Sequence, residues 1–426
     1  MVGPLLRVGN TSVRAVEGGQ VVFDNATLVA DQVTAGRLTA GTLEAGEWRF
    51  SDNVSVRQER NGSLVLQSSE GTIVDGVSIR QLGTAMASLN DEVTALSAKL
   101  QNACRAVANT TTITGLSGDA KWRGGVLAGN GKIYGIPHFS SSVLIIDPAT
   151  NTADFTTLAG LDGAAKWSGG VLAGNGNIYG IPLSSTSVLI VDPTTNTTDT
   201  TTITGLSGAL KWAGGVLAGN GKIYCYPFNS ESVLIIDTTT NTADNITIPS
   251  LSGYKTWAGG VLAGNGKVYG IPFYSPSVLI IDPATNTADA TTITGLIGAN
   301  KWTGGVLASN GKIYGFPLDS VSVLIIDPTT NTADTTTITG FAAGAKWYGG
   351  VLADSGKIYG IPYAATSVLI IDPATDKADT TSITGLSGNA KWRGGVLGRN
   401  GAIYGIPSDA DSILMISGKC EIPGEL

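Results

Sequence analysis

The sequence predicts an all-β protein: a seven-bladed β-propeller with four-stranded blades, preceded by a β-fibrous stalk and a short coiled coil. Two observations predict the propeller. A tryptophan returns every 45 residues in the frame W-x-G-G-V-L, and each interval holds four short β-like segments. A fixed period of this length, with four strands in each repeat, is typical of propeller blades. The seven tryptophans are Trp122, Trp167, Trp212, Trp257, Trp302, Trp347 and Trp392.

Each repeat divides into strands that we name A to D. In the first repeat, strand A is predicted at 125–128, and the hairpin signal Asn130-Gly131 separates it from strand B at 132–136. Strand C is predicted at 142–147 and ends in the turn sequence Asp-Pro-Ala-Thr-Asn. The threonine-rich stretch that follows is predicted to be strand D, because it is rich in β-branched residues.

The two ends of the repeat region predict how the propeller closes. The last copy runs through strand C at 412–416 and has no strand D, while an unpartnered strand D is predicted at 109–114. We therefore expect one blade to be built from both chain ends. In the 45-residue register, Cys104 and Cys420 both fall in the turn between strands C and D. A Cys104–Cys420 disulfide is predicted there, with two unpaired thiols as the alternative, and Cys225 is expected to be a buried thiol.

The segment I-Y-G-I-P…S-V-L-I-I-D-P-A-T-N-T resembles the YVTN-type propeller repeat of surface and extracellular proteins. The resemblance covers roughly residues 108–417 and implies a propeller without specifying a function. The chain departs from that family in its W-x-G-G frame and in having Gly-Ile-Pro where Val-Thr-Asn would stand.

Two patterns precede the propeller, which we assign to residues 104–426. Residues 1–76 are predicted to be a β-rich fibrous stalk, because apolar residues recur every five positions from Phe23 to Trp48. Residues 77–103 are predicted to be a coiled-coil helix for oligomerisation; the alternative is a single amphipathic helix docked on the propeller. The predicted seam consists of Ile79, Leu82, Met86, Leu89, Val93, Leu96 and Leu100.

This order of β-fibre, coiled coil and globular head resembles virion or phage tail fibres and receptor-binding spikes. The resemblance implies a homotrimer whose stalk binds other structural proteins of the particle. A dimer stays open, because β-branched residues at position a with leucine at position d favour two strands. The resemblance to tail fibres also implies that the protein is located on a virion or other extracellular particle.

Composition narrows the function classes. With 42% hydrophobic and 14% charged residues, the chain can bury a sizeable core. The net charge of −7 without a basic cluster argues against nucleic-acid partners, and no apolar run is long enough for membrane insertion. A single histidine and three cysteines leave little material for a metal site. We therefore expect no enzyme, no metal and no cofactor. No signal-peptide core appears near Met1, so synthesis in the cytosol is expected.

Comparison of the seven copies predicts a binding face. The A–B and C–D turns are nearly constant, whereas the B–C and D–A connections, which share the opposite face, differ between copies. Aromatic rings beside polar groups suit carbohydrate or protein recognition; the alternative is that these loops simply drift. The candidate binding residues are Arg123, His138, Phe139, Tyr226, Phe228, Tyr254, Phe273, Tyr274, Asp319, Tyr348, Tyr363, Arg393, Asp409 and Asp411.

The sequence thus favours a virion or particle fibre whose head binds a host cell-surface receptor, a glycan or a protein. The alternative is an extracellular structural or adhesion protein that uses the propeller as an interaction or spacer module. The repeated aspartates, such as Asp147 and Asp154, could bind calcium, but aspartate is also common where a turn begins.

Overall fold

The computed structural model describes residues 104–420 except Ser250, Ser252 and Tyr254, and before them only strand residues between 13 and 78. The chain divides into two compact units, one of Met1–Arg105 with Cys420–Leu426 and one of Ala106–Lys419. Among the described residues, no helix is long and apolar enough to cross a bilayer.

The first unit contains a six-stranded antiparallel sheet, in the order β1-β2-β6-β5-β4-β3, and a separate hairpin of β7 and β8. Its strands are β1 (Val13–Val16), β2 (Gln20–Phe23), β3 (Leu43–Glu44), β4 (Glu47–Ser51), β5 (Val54–Gln58), β6 (Leu64–Ser68), β7 (Ile73–Val74) and β8 (Val77–Ser78). The predicted coiled coil at 77–103 lies outside the described residues, except that its first two residues form β8 instead of a helix.

Seven four-stranded sheets follow, which confirms the seven-bladed propeller. The strand that precedes the first blade is β9 (Cys104–Asn109). Blades one and two are β10 (Trp122–Leu127), β11 (Ile133–Pro137), β12 (Leu144–Asp147), β13 (Thr152–Asp154), β14 (Trp167–Leu172), β15 (Ile178–Pro182), β16 (Leu189–Asp192) and β17 (Thr197–Asp199). Blades three and four are β18 (Trp212–Leu217), β19 (Lys222–Pro227), β20 (Leu234–Asp237), β21 (Thr242–Asp244), β22 (Trp257–Leu262), β23 (Val268–Pro272), β24 (Leu279–Asp282) and β25 (Thr287–Asp289).

Blades five to seven complete the circle. They are β26 (Trp302–Leu307), β27 (Ile313–Pro317), β28 (Leu324–Asp327), β29 (Thr332–Asp334), β30 (Trp347–Leu352), β31 (Ile358–Pro362), β32 (Leu369–Asp372), β33 (Lys377–Asp379), β34 (Trp392–Leu397), β35 (Ile403–Pro407) and β36 (Leu414–Cys420). Every blade is an antiparallel meander, and strand A begins at the repeat tryptophan, three residues earlier than predicted.

The prediction for strand D is wrong in position. In the first blade strand D is β13, which ends at Asp154, and the threonine-rich stretch after it is a loop. The carboxylate of Asp154 accepts hydrogen bonds from the backbone N–H of Thr156, at 2.7 Å, and from that of Thr157, at 3.2 Å. An aspartate that bonds the backbone two and three residues ahead forms a turn, and this turn ends the strand.

Blade seven is built from both chain ends, as predicted, with the strand order β34-β35-β36-β9. The closing strand is β9, whereas the predicted segment 109–114 joins blade seven only by the isolated bridge between Thr114 and Ser412. Cys104 begins β9 and Cys420 ends the adjacent β36, so both lie in strands and not in a turn. The disulfide between them stays a prediction. Cys225 is a buried free thiol, as expected.

The hydrophobic core lies between blades. Seven clusters each join two neighbouring blades, and one of them joins blade seven to blade one. The repeat tryptophans are buried in these clusters, and the indole N–H of Trp122 donates to the carbonyl of Ser142 at 2.8 Å. Each tryptophan therefore fills an interblade core and also ties strand A to the start of strand C.

The innermost strands crowd one another around the propeller axis. The first glycine after the W-x pair has a positive φ in every blade, for example +84° at Gly259. A Cβ added to Gly259 would lie 2.8 Å from the Cα of Gly304 in the next blade, and the same proximity continues around the circle to Gly394 and Gly124. Glycine meets both the conformation and the space, which accounts for the first glycine of the repeated Gly-Gly pair.

Candidate functional site

The A–B and C–D turns form one face of the propeller, which we call the constant face. Here the strand B tyrosine of one blade reaches the turns of the next. The hydroxyl of Tyr269 donates to Asn331 Oδ1 at 2.8 Å, and Asn265 Nδ2 donates to the same hydroxyl at 3.0 Å and to the carbonyl of Pro328 at 3.1 Å. Tyr404 makes the equivalent bond to Asn151 and so links blade seven to blade one.

The B–C and D–A loops form the opposite face, which we call the variable face. A buried lysine before the repeat tryptophan joins these loops across the blade boundary. Lys301 Nζ donates to the carbonyls of Gly298, Phe273 and Ser275 at 2.8, 3.2 and 2.9 Å. In blade four a threonine stands at this position, and Thr256 Oγ1 donates to Pro227 at 2.7 Å. The frame that supports the variable face is thus as regular as the constant face.

Two residues of each blade line the axis on the variable face: the one after the tryptophan and the first of the B–C loop. In blades two to five most of these positions form an apolar cluster that includes Leu183, Phe228, Phe273 and Leu318. In blades six, seven and one they are mostly polar or charged. We call Arg123, His138, Tyr348, Tyr363 and Arg393 the axial mouth.

The two arginines of the axial mouth are arranged around the two tyrosines. Arg123 Nη2 donates to the hydroxyl of Tyr348, and its guanidinium lies 5.2 Å from the centroid of that ring. Arg393 Nη2 donates to the hydroxyl of Tyr363 at 2.9 Å, and its guanidinium lies 5.0 Å from the centroid of the Tyr363 ring and 5.6 Å from that of Tyr348. Both guanidiniums therefore flank one aromatic ring, a cation–π arrangement.

His138 is buried beside the arginines. Its Nδ1 lies 3.2 Å from the carbonyl oxygen of Trp167, so that nitrogen carries the proton. Burial, followed by the charge of Arg123, lowers the pKa of His138 to about 3. The imidazole is therefore neutral near pH 7 and adds no charge to the axial mouth.

A cleft of about 540 Å³ opens on the variable face at blade one. Its lining includes Phe139, Phe155, Asp119 and Ser140. Phe139 and Phe155 are 49% and 40% exposed, and Phe155 meets the Trp122 ring edge-on at 6.2 Å between centroids. The cleft therefore offers aromatic surface and polar groups to a ligand from solvent.

Phe155 was not among the predicted site residues, although the repeats carry a signal for it. The equivalent positions in the next five blades hold Thr200, Asn245, Ala290, Thr335 and Thr380. Phenylalanine stands at this position in one copy only. Core packing does not require it, since the other blades fold without it. Its location next to Phe139 becomes apparent only when the loops are folded.

The structure disperses the other predicted binding residues. Tyr226 is wholly buried in β19, against Gly260 of the next blade, and its burial contradicts the prediction that it is a binding residue. Phe228 and Phe273 are buried in the axial apolar cluster, and half-buried Tyr274 packs on Phe273. Tyr254 lies outside the described residues.

The three predicted aspartates differ in role. Asp409 Oδ1 accepts the backbone N–H of Ala120 at 2.7 Å and so joins blade seven to blade one. Asp319 is half-buried and Asp411 exposed, both in B–C loops. The repeated Asp147 and Asp154 cap turns, and no group of three or more His, Cys, Asp or Glu in the described part of the chain is placed to hold a metal ion.

Comparison with solved structures places this fold among known propellers. The chain is similar to a streptogramin B lyase, with TM-score 0.58 and 13% identity over 74% of this chain and 98% of the other. It is also similar to virginiamycin B lyase from Staphylococcus aureus in complex with quinupristin, with TM-score 0.60 and 10% identity over 73% and 99% of the two chains. No family model and no curated protein matches the sequence.

An extracellular domain of a putative hybrid two-component system from B. thetaiotaomicron is similar as well, with TM-score 0.55 and 13% identity over 74% of this chain and 43% of that one. At these identities the likeness shows the fold alone, a seven-bladed propeller. It also corrects the expectation that the chain is not an enzyme, because the same fold carries lyases. Few histidines and near-identical inner strands therefore do not exclude catalysis.

Proposed function

We propose that the propeller is the receptor-binding head of a fibre or spike protein on a virion or similar particle, and that it binds a cell-surface glycan through its variable face. The single observation that carries the proposal is the cleft of blade one. Two large aromatic side chains, Phe139 and Phe155, stay exposed there beside Asp119 and Ser140. Exposed rings give contact area, and nearby hydroxyl and carboxylate groups orient a sugar by hydrogen bonds.

The topology of the head supports a receptor at this face. The chain joins the propeller through β9, the outer strand of blade seven, which begins at the constant-face end. The variable face is the end of the propeller opposite to the point at which β9 begins. The similar extracellular domain is in line with a propeller that works outside a cell.

The test uses the full-length chain on a broad glycan panel and on candidate host cells. A variant with Phe139→Ala and Phe155→Ala removes the aromatic surface of the cleft. The matched control is Ile297→Ala, which removes an exposed apolar side chain from the D–A loop of blade five on the same face. We expect saturable binding of the wild type, loss in the double variant and no change in the control.

Three other outcomes have distinct meanings. Binding that survives in the double variant would contradict the cleft as the site. Equal loss in Ile297→Ala would indicate general surface adhesion. No binding by the folded chain to any glycan or cell would favour the alternative, an extracellular structural or adhesion protein in which the propeller is a spacer. The proposed homotrimer is tested separately by sedimentation equilibrium of the full-length chain, and a dimer would contradict it.

A further inference from the structure

The axial mouth holds two arginines that the protein leaves without a counter-charge. Arg123 and Arg393 occupy the same repeat position in adjacent blades. The Nε atom of each is buried and has no hydrogen-bond partner. Ion pairs within the described residues join lysines to aspartates and involve neither arginine. Buried charge without a partner is costly, so a folded protein rarely keeps it without a use.

The tyrosines position the arginines but do not neutralise them. The hydroxyls of Tyr348 and Tyr363 each accept one bond from an Nη2 atom. Each guanidinium has five N–H donors in a fixed planar arrangement, and Nε is on the edge that a second acceptor would use. The two side chains are therefore held in place with donors to spare.

The electrostatic surroundings of Arg123 consist mainly of buried protein, two tyrosine hydroxyls and a second cation. Burial lowers the pKa of Arg123, and the nearby charge of Arg393 contributes to the lowering, whereas Tyr348 opposes it. His138 is neutral near pH 7, and the ammonium of Lys166 contributes to the lowering of its pKa. The side chains with the largest effects on the pKa of Arg123 are Tyr348, Arg393 and Tyr363, none of which is a carboxylate. The chain as a whole carries −7, so this positive site stands out against its own surface.

We infer that the axial mouth binds the carboxylate of an acidic saccharide. Guanidinium and carboxylate match in plane and spacing, so an arginine binds a carboxylate through two parallel hydrogen bonds. The half-buried rings of Tyr348 and Tyr363 give the sugar ring a surface to pack on. The saccharide, and with it the choice of a carboxylate, rests on the function proposed above, whereas an anionic group follows from the arginines alone.

The probe is glucuronate, titrated calorimetrically into the full-length chain, with glucose as its neutral counterpart. Arg123→Gln and Arg393→Gln remove the two charges one at a time. Arg399→Gln is the matched control, because it removes the same group from blade seven on the constant face, where Arg399 donates to the Gly129 carbonyl. We expect glucuronate to bind and glucose not to bind.

Each axial substitution is expected to weaken glucuronate binding about 10- to 100-fold, the range for a lost charge-assisted hydrogen bond. Arg399→Gln is expected to leave the affinity unchanged. Should a glutamine variant fail to fold, Arg393→Lys keeps the charge without the planar fork and is expected to bind with an intermediate loss.

Glucuronate that does not bind the folded wild type, or that binds the axial variants as well as the wild type, would overturn the inference. Inorganic phosphate that binds through these arginines as tightly as glucuronate would overturn the assignment to a carboxylate. The variant with Phe139→Ala and Phe155→Ala separates the two proposals. If it loses cell binding but still binds glucuronate, the axial mouth binds glucuronate independently of the cleft. If glucuronate fails while glycan binding depends on the cleft, only the inference falls.

Discussion

The two faces of the propeller use the same blades in opposite ways. On the constant face, the strand B tyrosine and the turn asparagines repeat the same bonds between neighbouring blades, as at Tyr269 with Asn331. On the variable face, the buried lysine repeats, but the residues that line the axis differ in chemistry between blades, as Leu183 and Arg393 show. A repeat protein can therefore vary a ligand surface without loss of fold, provided that the residues that bond neighbouring blades are kept.

The contacts between neighbouring blades also differ in how much substitution they tolerate. In blade four the buried lysine is replaced by Thr256, yet Thr256 still donates to a carbonyl of the preceding blade. In blade six the turn asparagine is replaced by Ser355, and blade seven has no C–D turn to receive a tyrosine. Bonds between blades thus tolerate single substitutions, whereas the glycines at the axis are the same in every blade.

The largest expected effect on the free energy of unfolding comes from the glycines around the propeller axis, which lie between the two faces. Gly259→Ala forces a positive φ of +84° on alanine and brings its Cβ to 2.8 Å from Gly304. We expect the free energy of unfolding to fall by about 3 kcal/mol or more, since backbone strain and a steric overlap add. Urea denaturation measures it.

The control for this substitution lies in the same blade. Gly264 has no neighbour within 4 Å of an added Cβ. Gly264→Ala is expected to change the free energy of unfolding by less than about 0.5 kcal/mol. Equal effects of the two substitutions would show that the axis is less crowded than the structure indicates.

The second prediction concerns pH and the variable face. The pKa of His138 is about 3 in the folded chain, against 6.5 for an ordinary histidine, so the unfolded chain binds more protons between these values. Stability should therefore fall as the pH drops below 6.5, with a slope that approaches about 1.4 kcal/mol per pH unit.

Unfolding in urea at pH 7.5, 6.5, 5.5 and 4.5 checks this slope above the range in which most carboxylates titrate. His138→Leu is the control, since blade two has Leu183 at the same position. The variant is expected to lose the slope. A wild-type free energy of unfolding that stays constant from pH 6.5 to 4.5 would disprove the burial of a neutral histidine.

The smallest expected effect lies on the constant face. Tyr269→Phe removes the hydroxyl that bonds Asn265 and Asn331, and should lower the free energy of unfolding by about 1 kcal/mol. Tyr359→Phe is the same change in blade six, where Ser355 replaces the asparagine, and should cost less. If both variants lose equally, the bonds of the hydroxyl to the turn asparagines are not the source of the loss.

Much of this architecture could be predicted from residue spacing. Seven tryptophan frames predicted seven blades, and the incomplete last copy predicted a blade made from both chain ends. Strand D was misplaced, because β propensity favoured the threonines, whereas the side chain of Asp154 ends the strand before them. A local side-chain bond outweighed the preference of several residues, which composition cannot show.

The sequence by itself determined the number of blades, their closure and the face on which the copies differ. The reason is that seven copies of one repeat can be compared position by position. Only the tertiary structure decided which variable residues meet. Arg123 and Tyr348 are 225 residues apart and touch because the circle closes, while Tyr226 is turned into an interblade core. Contacts across the axis depend on the closure of all seven blades, and no interval along the chain encodes which side chains will face each other there.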